Sequence, residues 1–319
     1  YCKDKQVLGV DTETEGFDFT TKKMIMFQIG DEQTQFVIDT RFVSIEPLRD
    51  VLERREVVKI FHNAKFDYKF IKKWADIECE GIYDTFLTER VLNCGKDKYG
   101  YSLKDVCKRY LKVDLNKDVR NQFIGLSGEP FKSDQIIYGA KDVEYLIKIR
   151  THQLPLIDRY KLNNVVDLEN EVVLAFADIE YNGLHLDVKQ WSKLEAINTE
   201  NADNHTNFQQ ILDTGRVSSS KPNMQQIPAD NVYRNCFTAP KDWSFVSADY
   251  SSQELNVIAF GSKDPVWLKT LEEGQDLHST CAELVYGDEW LNCGEYNCIY
   301  MTKKQKCNCP SHKKLRTNV

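Results

Sequence analysis

The sequence contains no apolar run that could cross a membrane, since a spanning helix needs about 18 consecutive apolar residues. It shows no internal repeat and no low-complexity tract, which argues against a repeat architecture. It also lacks an initial methionine and an apolar signal core, and begins Tyr-Cys-Lys-Asp instead. We therefore expect a protein without a membrane partner, and we expect that Tyr1 is not its natural start.

Positive charge is also in deficit, with 42 Lys and Arg against 49 Asp and Glu and a net charge of −7. Taken alone, this balance argues against a nucleic-acid partner, but clustered carboxylates lower it and the distribution of Lys and Arg matters more. Ten cysteines in 319 residues do not make a disulfide scaffold, and reduced thiols are typical of a cytoplasmic protein. The length and a 41% hydrophobic content predict about two globular domains.

Short apolar runs predict strands at residues 6–11, 23–29, 34–38, 57–61 and 244–248. Apolar spacing near 3.6 residues and residue composition predict helices at residues 45–53, 64–74, 85–92, 134–150, 167–181 and 194–212. The order of the first elements, three strands, a helix, a strand and then helices, is that of a ribonuclease-H-like α/β domain. A turn signal at Gln153-Leu154-Pro155 predicts a boundary. The chain then divides into residues 1–153, 154–213 and 214–319.

Three acidic motifs lie beside the predicted elements of the first domain. Asp11 and Glu13 end the first strand and, being two residues apart, point to the same side. Asp67 follows a buried strand and lies in the first turns of a helix, where the helix dipole favours a carboxylate. Tyr138 and Asp142 are four residues apart and share a helix face. Each motif alone also has a structural explanation, as a solvated acid or a core aromatic residue.

In this order, the three motifs resemble the DEDD exonuclease superfamily, in its tyrosine-bearing branch, over roughly the first 150 residues. The resemblance implies that Tyr138 orients the attacking water and that two Mg²⁺ or Mn²⁺ ions are bound by Asp11, Glu13, Asp67 and Asp142. Hard cations take oxygen ligands, and a pair about 4 Å apart activates water and stabilises the leaving 3′ oxygen. Asp84 is expected to be a supporting acid near this site.

A second group of motifs begins at Thr214. The string from there to Pro228 places Arg, Ser, Asn and Gln in a loop shaped by Gly and Pro, and these residue types contact a duplex backbone. It resembles the primer-template-binding segment of family A DNA polymerases. The resemblance implies DNA contacts from Arg216, Asn223, Gln225 and Gln226.

The string Asp249-Tyr250-Ser251-Ser252-Gln253-Glu254-Leu255 resembles the first palm motif of the same family, although Ser252, Gln253 and Asn256 depart from its usual pattern. The resemblance implies that Asp249 binds both catalytic Mg²⁺ ions, with a further contact from the Tyr250 carbonyl. It also implies that Glu254 excludes ribonucleotides. Farther along the chain, His278 is expected near the incoming triphosphate, and Arg316 falls at the start of the nucleotide-binding helix.

Two features of the family are missing from the sequence. Only a short stretch separates the Gly183–Asp187 segment from Gly215, where the family has its thumb. The second palm carboxylate is also absent. Because metal-dependent synthesis needs that carboxylate, we expect this chain to trim DNA and not to polymerise it.

Cysteine and histidine crowd near the end of the chain. The pattern Cys293-x4-Cys298-x8-Cys307-x-Cys309-x2-His312 offers five soft ligands, and four would complete a tetrahedral zinc site. The spacing is irregular for a zinc finger, so a structural zinc and a reduced, cysteine-rich insertion both stay open.

The sequence is therefore interpreted as part of a family A DNA polymerase with a proofreading exonuclease, acting on primer-template DNA, single-stranded 3′ ends and deoxynucleoside triphosphates. The short, divergent form suggests a phage enzyme in the host cytoplasm, and no processivity partner can be read from it. A stand-alone 3′→5′ exonuclease on DNA or RNA with a vestigial palm is the first alternative. A nucleic-acid-binding module without catalysis is the second.

Overall fold

The computed structural model describes the chain except for residues 95–99, 116–118, 120–121, 125, 127, 196–205, 213–215, 229, 251, 293–296 and 317–319. The chain forms two compact units, residues 1–243 and 244–319. In the described residues, no helix has both the length and the apolar character needed to cross a bilayer.

A five-stranded sheet with the order β3-β2-β1-β4-β5 lies at the centre of the first unit. β1 pairs antiparallel with β2 and parallel with β4. On one side, β2 pairs antiparallel with β3, and on the other side β4 pairs parallel with β5. The strands are β1 (Val7–Thr14), β2 (Met24–Gly30), β3 (Gln35–Asp39), β4 (Val58–Phe61) and β5 (Ile82–Asp84). The first four were predicted, with small shifts at their ends. β5 was missed because three residues are too few to show a period.

Helices cover the sheet, and the longest, α5, contacts β1, β2, β3 and β4. α6 packs against α2 and α3. The described α-helices of the first unit are α1 (Arg49–Leu52), α2 (Ala64–Ala75), α3 (Thr85–Leu92), α4 (Leu103–Tyr110), α5 (Ser133–Tyr160), α6 (Asn163–Asn182), α7 (Val188–Glu195) and α8 (Asn231–Arg234).

Helix α5 continues through Pro155, past the turn signal that predicts a boundary there. Proline removes one backbone donor, so tertiary contacts must hold the helix together at this point. Gln153 is fully buried and its Nε2 donates to the Thr85 carbonyl at 3.0 Å, while Ile157 is buried on the far side of the proline. The expected division at residues 153–154 thus falls inside a helix, and the domain limits themselves stay a prediction.

Residues 206–212 are not helical, contrary to the prediction for residues 194–212. They contain β6 (Asn207–Gln209), which pairs with β7 (Ser218–Ser220). The Phe208 amide donates to the buried carboxylate of Glu180 at 2.6 Å, and the Phe208 ring packs on Phe176. Such tertiary contacts override a helical composition.

The second unit contains six described helices, α9 (Gln253–Ser262), α10 (Pro265–Glu272), α11 (Leu277–Tyr286), α12 (Asp288–Leu291), α13 (Ile299–Lys303) and α14 (Pro310–Arg316). The strand predicted at residues 244–248 is wrong, because this segment is irregular and exposed. A strand needs a hydrogen-bonded neighbour, and no described segment of this unit forms one.

Candidate active site

Asp11 and Glu13 lie near the end of β1, two residues apart and on one side of the strand. Two residues earlier, Gly9 has no side chain, and a Cβ there would lie 2.7 Å from the carbonyl oxygen of Val143. α5 therefore passes directly against β1, which brings Asp142 to the strand. Ligand oxygens of Asp11, Glu13 and Asp142 all lie within 4.8 Å of one another.

Asp67 lies in the first turn of α2 and faces the same cleft as these three acids. Thr12 fixes its orientation, since the Thr12 amide and hydroxyl both donate to the Asp67 carboxylate, at 3.1 and 2.6 Å. Asp67 is not within the 4.8 Å group formed by the other three. Burial, with an added contribution from the charge of Asp11, raises the pKa of the Asp67 carboxyl well above its usual value.

Asp84 lies close enough to the site for its charge to contribute to the raised pKa of Asp67, and its carboxylate is bound by backbone amides. Its buried carboxylate accepts hydrogen bonds from the amides of Asn63 and Ala64, which begin α2, and from those of Phe86 and Leu87, which begin α3. One carboxylate therefore caps two helices, in line with the preference of helix N-termini for negative charge. Burial raises the pKa of Asp84, while these four donors act in the opposite direction. It does not line the cleft.

The cleft has a volume of about 400 Å³. Tyr138 and Asp142 both line the cleft. The Tyr138 ring packs against Phe123, with 6.3 Å between the ring centres. Phe17 and Phe66 form an aromatic edge, with their rings 6.3 Å apart. The cleft thus joins a carboxylate cluster to apolar ring faces that can receive nucleobases.

The carboxylate cluster fits a divalent metal. Glu13 is 6% and Asp142 is 3% exposed, and buried like charges so close together destabilise a fold unless a cation compensates them. All the donors are oxygen atoms, which suit hard ions such as Mg²⁺ and Mn²⁺.

Several residues that shape this site carry no signal in the sequence that marks them. Thr12 lies between the two acids of the first motif, and its role depends on a contact with a distant helix. Gly139, next to Tyr138, permits close packing, because a Cβ there would lie 2.7 Å from Nε2 of Gln28. Gln28 itself is fully buried and pairs in register with Asp11.

The residues expected to contact primer-template DNA are exposed in the first unit. Arg216, Asn223, Gln225 and Gln226 all lie at the surface. The Asn223 side chain accepts from the Gln225 amide at 3.1 Å, and Gln225 Nε2 donates to the Val217 carbonyl at 3.2 Å. These contacts give the loop a defined shape.

The residues expected at a polymerase centre lie in the second unit. Asp249, Tyr250, Glu254 and His278 are exposed, whereas Arg316 is half-buried. Among the described residues, Asp249 belongs to no group of three or more metal-ligand side chains. Of the proposed zinc ligands, four come together, namely Cys298, Cys307, Cys309 and His312. Cys293 lies outside the described residues.

The sheet order, the acid cluster and the tyrosine beside it fit a DEDD-type 3′-5′ exonuclease domain, and comparison with known families agrees. Residues 2–157 match a family described as 3′-5′ exonuclease, and residues 156–293 match DNA polymerase family A. Residues 2–293 thus consist of a 3′-5′ exonuclease domain followed by a segment of DNA polymerase family A.

Curated relatives of the chain are bacterial DNA polymerases I. The Aquifex aeolicus protein is 25% identical over 377 residues, covering 88% of this chain and 64% of that protein. The Synechocystis protein is 41% identical over 108 residues, covering 32% of this chain and 11% of that protein. The chain therefore spans less than two thirds of the length of these relatives. The expected phage origin stays a prediction.

Solved structures confirm the mixed α/β fold. The POL domain of Pol1 from M. smegmatis, in complex with DNA primer-template and dNTP, has a TM-score of 0.66 at 18% identity, covering 99% of this chain and 73% of that chain. Escherichia coli RNase D has a TM-score of 0.51 at 17% identity, covering 61% of this chain and 50% of that chain. At these identities the likeness shows the fold alone.

Proposed function

We propose that this chain removes nucleotides from single-stranded 3′ ends of DNA with the aid of two Mg²⁺ or Mn²⁺ ions held by Asp11, Glu13, Asp67 and Asp142. The observation that carries the proposal is the convergence of three of these acids within 4.8 Å, in a cleft that the fourth also lines. Bound divalent ions would activate water and stabilise the leaving 3′ oxygen.

The remaining parts of the cleft have roles that follow from their placement. The Tyr138 hydroxyl, on the same helix face as Asp142, would hold the attacking water in line with the scissile phosphate. Thr12 keeps the Asp67 carboxylate in one orientation through two hydrogen bonds. The exposed ring of Phe17, beside Phe66, would stack the terminal bases. A frayed, mispaired end is single-stranded and fits such a cleft.

The polymerase half of the proposal rests on family membership. Within the whole protein, primer-template DNA would be held by the surface loop that carries Arg216, Asn223, Gln225 and Gln226. Deoxynucleoside triphosphates and the catalytic Mg²⁺ would be bound by Asp249, Tyr250, Glu254, His278 and Arg316. Reduced cysteines suit a cytoplasmic setting for this activity.

The test is trimming of a 5′-labelled single-stranded oligonucleotide in Mg²⁺. Asp142→Asn should lower the rate about 10³-fold or more, because it removes a charged metal ligand while it keeps the shape of the side chain. Asp167→Asn, at an exposed position of α6, is the matched control and should trim at the wild-type rate. Unchanged trimming by Asp142→Asn would show that the acids do not hold the metal. Binding of the strand without trimming by the wild-type chain would favour the non-catalytic module.

A second candidate, an exonuclease without any polymerase role, is favoured by one observation. Asp249 is exposed in an irregular segment and belongs to none of the metal-ligand groups found among the described residues. The two candidates differ in substrate. A proofreading enzyme should prefer a DNA strand over an RNA strand of the same sequence, whereas equal trimming of both would support the second candidate.

A further inference from the structure

A cluster of soft ligands lies in the second unit, far in sequence from the acidic cleft. The sulfur atoms of Cys298, Cys307 and Cys309 and a ring nitrogen of His312 all lie within 4.8 Å of one another. Nδ1 of His312 is 3.4 Å from Sγ of Cys298 and 3.0 Å from Sγ of Cys307. Ordinary Zn–S and Zn–N bond lengths in a tetrahedral site imply N···S separations of about 3.5 Å and S···S separations of about 3.8 Å. One ion fits between these four atoms.

The orientation of His312 is already that of a metal ligand. Its Nε2 lies 2.7 Å from the carbonyl oxygen of Trp290, and a carbonyl can only accept, so the ring proton is on Nε2. The lone pair of Nδ1 is thereby directed toward the sulfur atoms. A backbone carbonyl that fixes the far nitrogen of a ligating histidine is a common arrangement around protein-bound zinc.

We propose that Cys298, Cys307, Cys309 and His312 bind one Zn²⁺ ion, which holds helices α11 to α14 of the second unit together. Three thiolates and an imidazole select zinc over Mg²⁺ or Ca²⁺, and four protein ligands leave no open position for catalysis. The short distances between the ligands suit a single ion better than an iron–sulfur cluster. The match to DNA polymerase family A ends at residue 293, so these ligands lie outside it.

The surroundings of the cluster explain why this segment needs an ion. Among the described residues, its buried apolar cluster has six members, namely Ala282, Trp290, Cys298, Tyr300, Cys307 and Leu315. Trp290 stacks on the His312 ring, with 4.0 Å between the ring centres. Two of the six core residues are themselves ligands. Small segments with so little core require a metal or another cross-link to hold a fixed shape.

The same ion would also fix the position of Arg316. The Arg316 guanidinium donates to the Cys307 carbonyl and, at 3.2 Å, to the Ser279 hydroxyl. Ser279 follows His278 at the start of α11. Zinc binding therefore connects the two basic residues that the family resemblance places near the triphosphate.

The experiment is metal analysis of the full chain, produced with zinc in the medium and purified in reducing buffer without chelator. We expect about one zinc per chain, and a loss of at least about fivefold in Cys307→Ser and in His312→Gln. Cys281→Ser, the same substitution on α11 outside the cluster, is the matched control and should keep the wild-type content. Wild-type protein with less than about one tenth of a zinc per chain would overturn the proposal, as would undiminished zinc in Cys307→Ser.

A second measurement decides the question if the variants do not fold. Wild-type chain reconstituted with Co²⁺ should show thiolate-to-cobalt charge-transfer absorption. Its three cysteine ligands should be protected from a thiol reagent until the metal is removed. Absence of that absorption, or a Cys298–Cys307 disulfide in the purified chain, would also reject the site. DNA trimming by the same preparation is independent of these outcomes, because the acidic ligands lie in the other unit.

Discussion

The two ligand clusters of this chain are built in opposite ways. Asp11 and Glu13 lie on a central strand, and Asp142 lies on a long helix. The sheet that positions them is stabilised by a large buried apolar core. The four soft ligands all lie between residues 298 and 312, where the ligands make up part of the core itself. A scaffold that folds by burying apolar area can hold repelling acids in place, whereas a short segment must obtain its stability from the ion.

Metal removal tests this comparison most directly and should have the largest effect. EDTA should lower trimming of single-stranded DNA by about 10³-fold or more, because the acids alone cannot activate water, yet the first unit should stay folded. Stripping zinc with a mercurial reagent should instead unfold helices α11 to α14. Hydrogen exchange of the two units, followed after each treatment, measures which unit unfolds. Trimming of the labelled oligonucleotide measures the loss of activity. Unfolding of the first unit by EDTA would mean that its fold also depends on the metal and not on its apolar core alone.

The close contact between Gly9 of β1 and Val143 of α5 positions the acidic cluster. In Gly9→Ala the new Cβ would meet the Val143 carbonyl oxygen at 2.7 Å and push α5 away from β1. Overpacking of this kind costs about 1–3 kcal/mol. It should also lower trimming by about 100-fold, since a displacement of about 1 Å at a catalytic site has that cost.

The control for this variant is Gly261→Ala in α9, where nothing lies within 4 Å of the added Cβ. It should leave both the melting temperature and the trimming rate close to wild type. Wild-type trimming by Gly9→Ala would show that the close approach of α5 does not position Asp142.

Local signals predicted the parts of the fold that depend on neighbours in sequence. The acids of β1, α2 and α5 stand in recognisable short motifs, and most of the helices and strands of the first unit follow from apolar spacing. Contacts between segments that are distant in sequence could not be predicted from these local signals. Asp84 caps two helices only because α2 and α3 begin side by side, and nothing in the string Tyr83-Asp84-Thr85 indicates that meeting.

The wrong secondary-structure predictions at residues 206–212 and 244–248 also result from tertiary contacts that the sequence does not show. The segment 244–248 has the composition of a strand but no neighbouring strand among the described residues of its unit. The segment 206–212 has a helical composition, yet Phe208 is anchored on Glu180 and residues 207–209 form a strand. The four soft ligands were found by spacing, whereas their orientation by the Trp290 carbonyl depends on the folded chain.

The aromatic edge of the cleft gives a smaller effect on substrate binding. Phe17→Ala should raise the KM for single-stranded DNA by about 5-fold to 100-fold and leave kcat nearly unchanged, because base stacking on an aromatic ring contributes about 1–3 kcal/mol per base. Phe42→Ala is the matched control. Phe42 is 70% exposed, close to the 74% of Phe17, but it lies outside the cleft. Equal KM values for the two variants would remove Phe17 from the DNA path.

The smallest expected effect concerns stability and separates the charge of an acid from its shape. Burial and Asp11 raise the pKa of Asp67 in the folded chain, so its charged form destabilises the metal-free fold at neutral pH. Asp67→Asn removes that charge, and its side-chain oxygen can still accept from Thr12. It should therefore raise the metal-free melting temperature by about 2–4 °C, equivalent to about 1 kcal/mol, although it should not trim DNA.

The sign of this effect can be checked with pH and with metal. As the pH falls through the raised pKa of Asp67, the wild-type carboxyl becomes neutral and the advantage of Asp67→Asn should shrink. Saturating Mg²⁺ should also reduce it, because the ion compensates the wild-type charge. Asp76→Asn, at the exposed end of the same helix, should change the melting temperature by less than about 1 °C. A lower melting temperature for metal-free Asp67→Asn would mean that hydrogen bonding to Thr12, and not repulsion among the acids, dominates the energetics of this cleft.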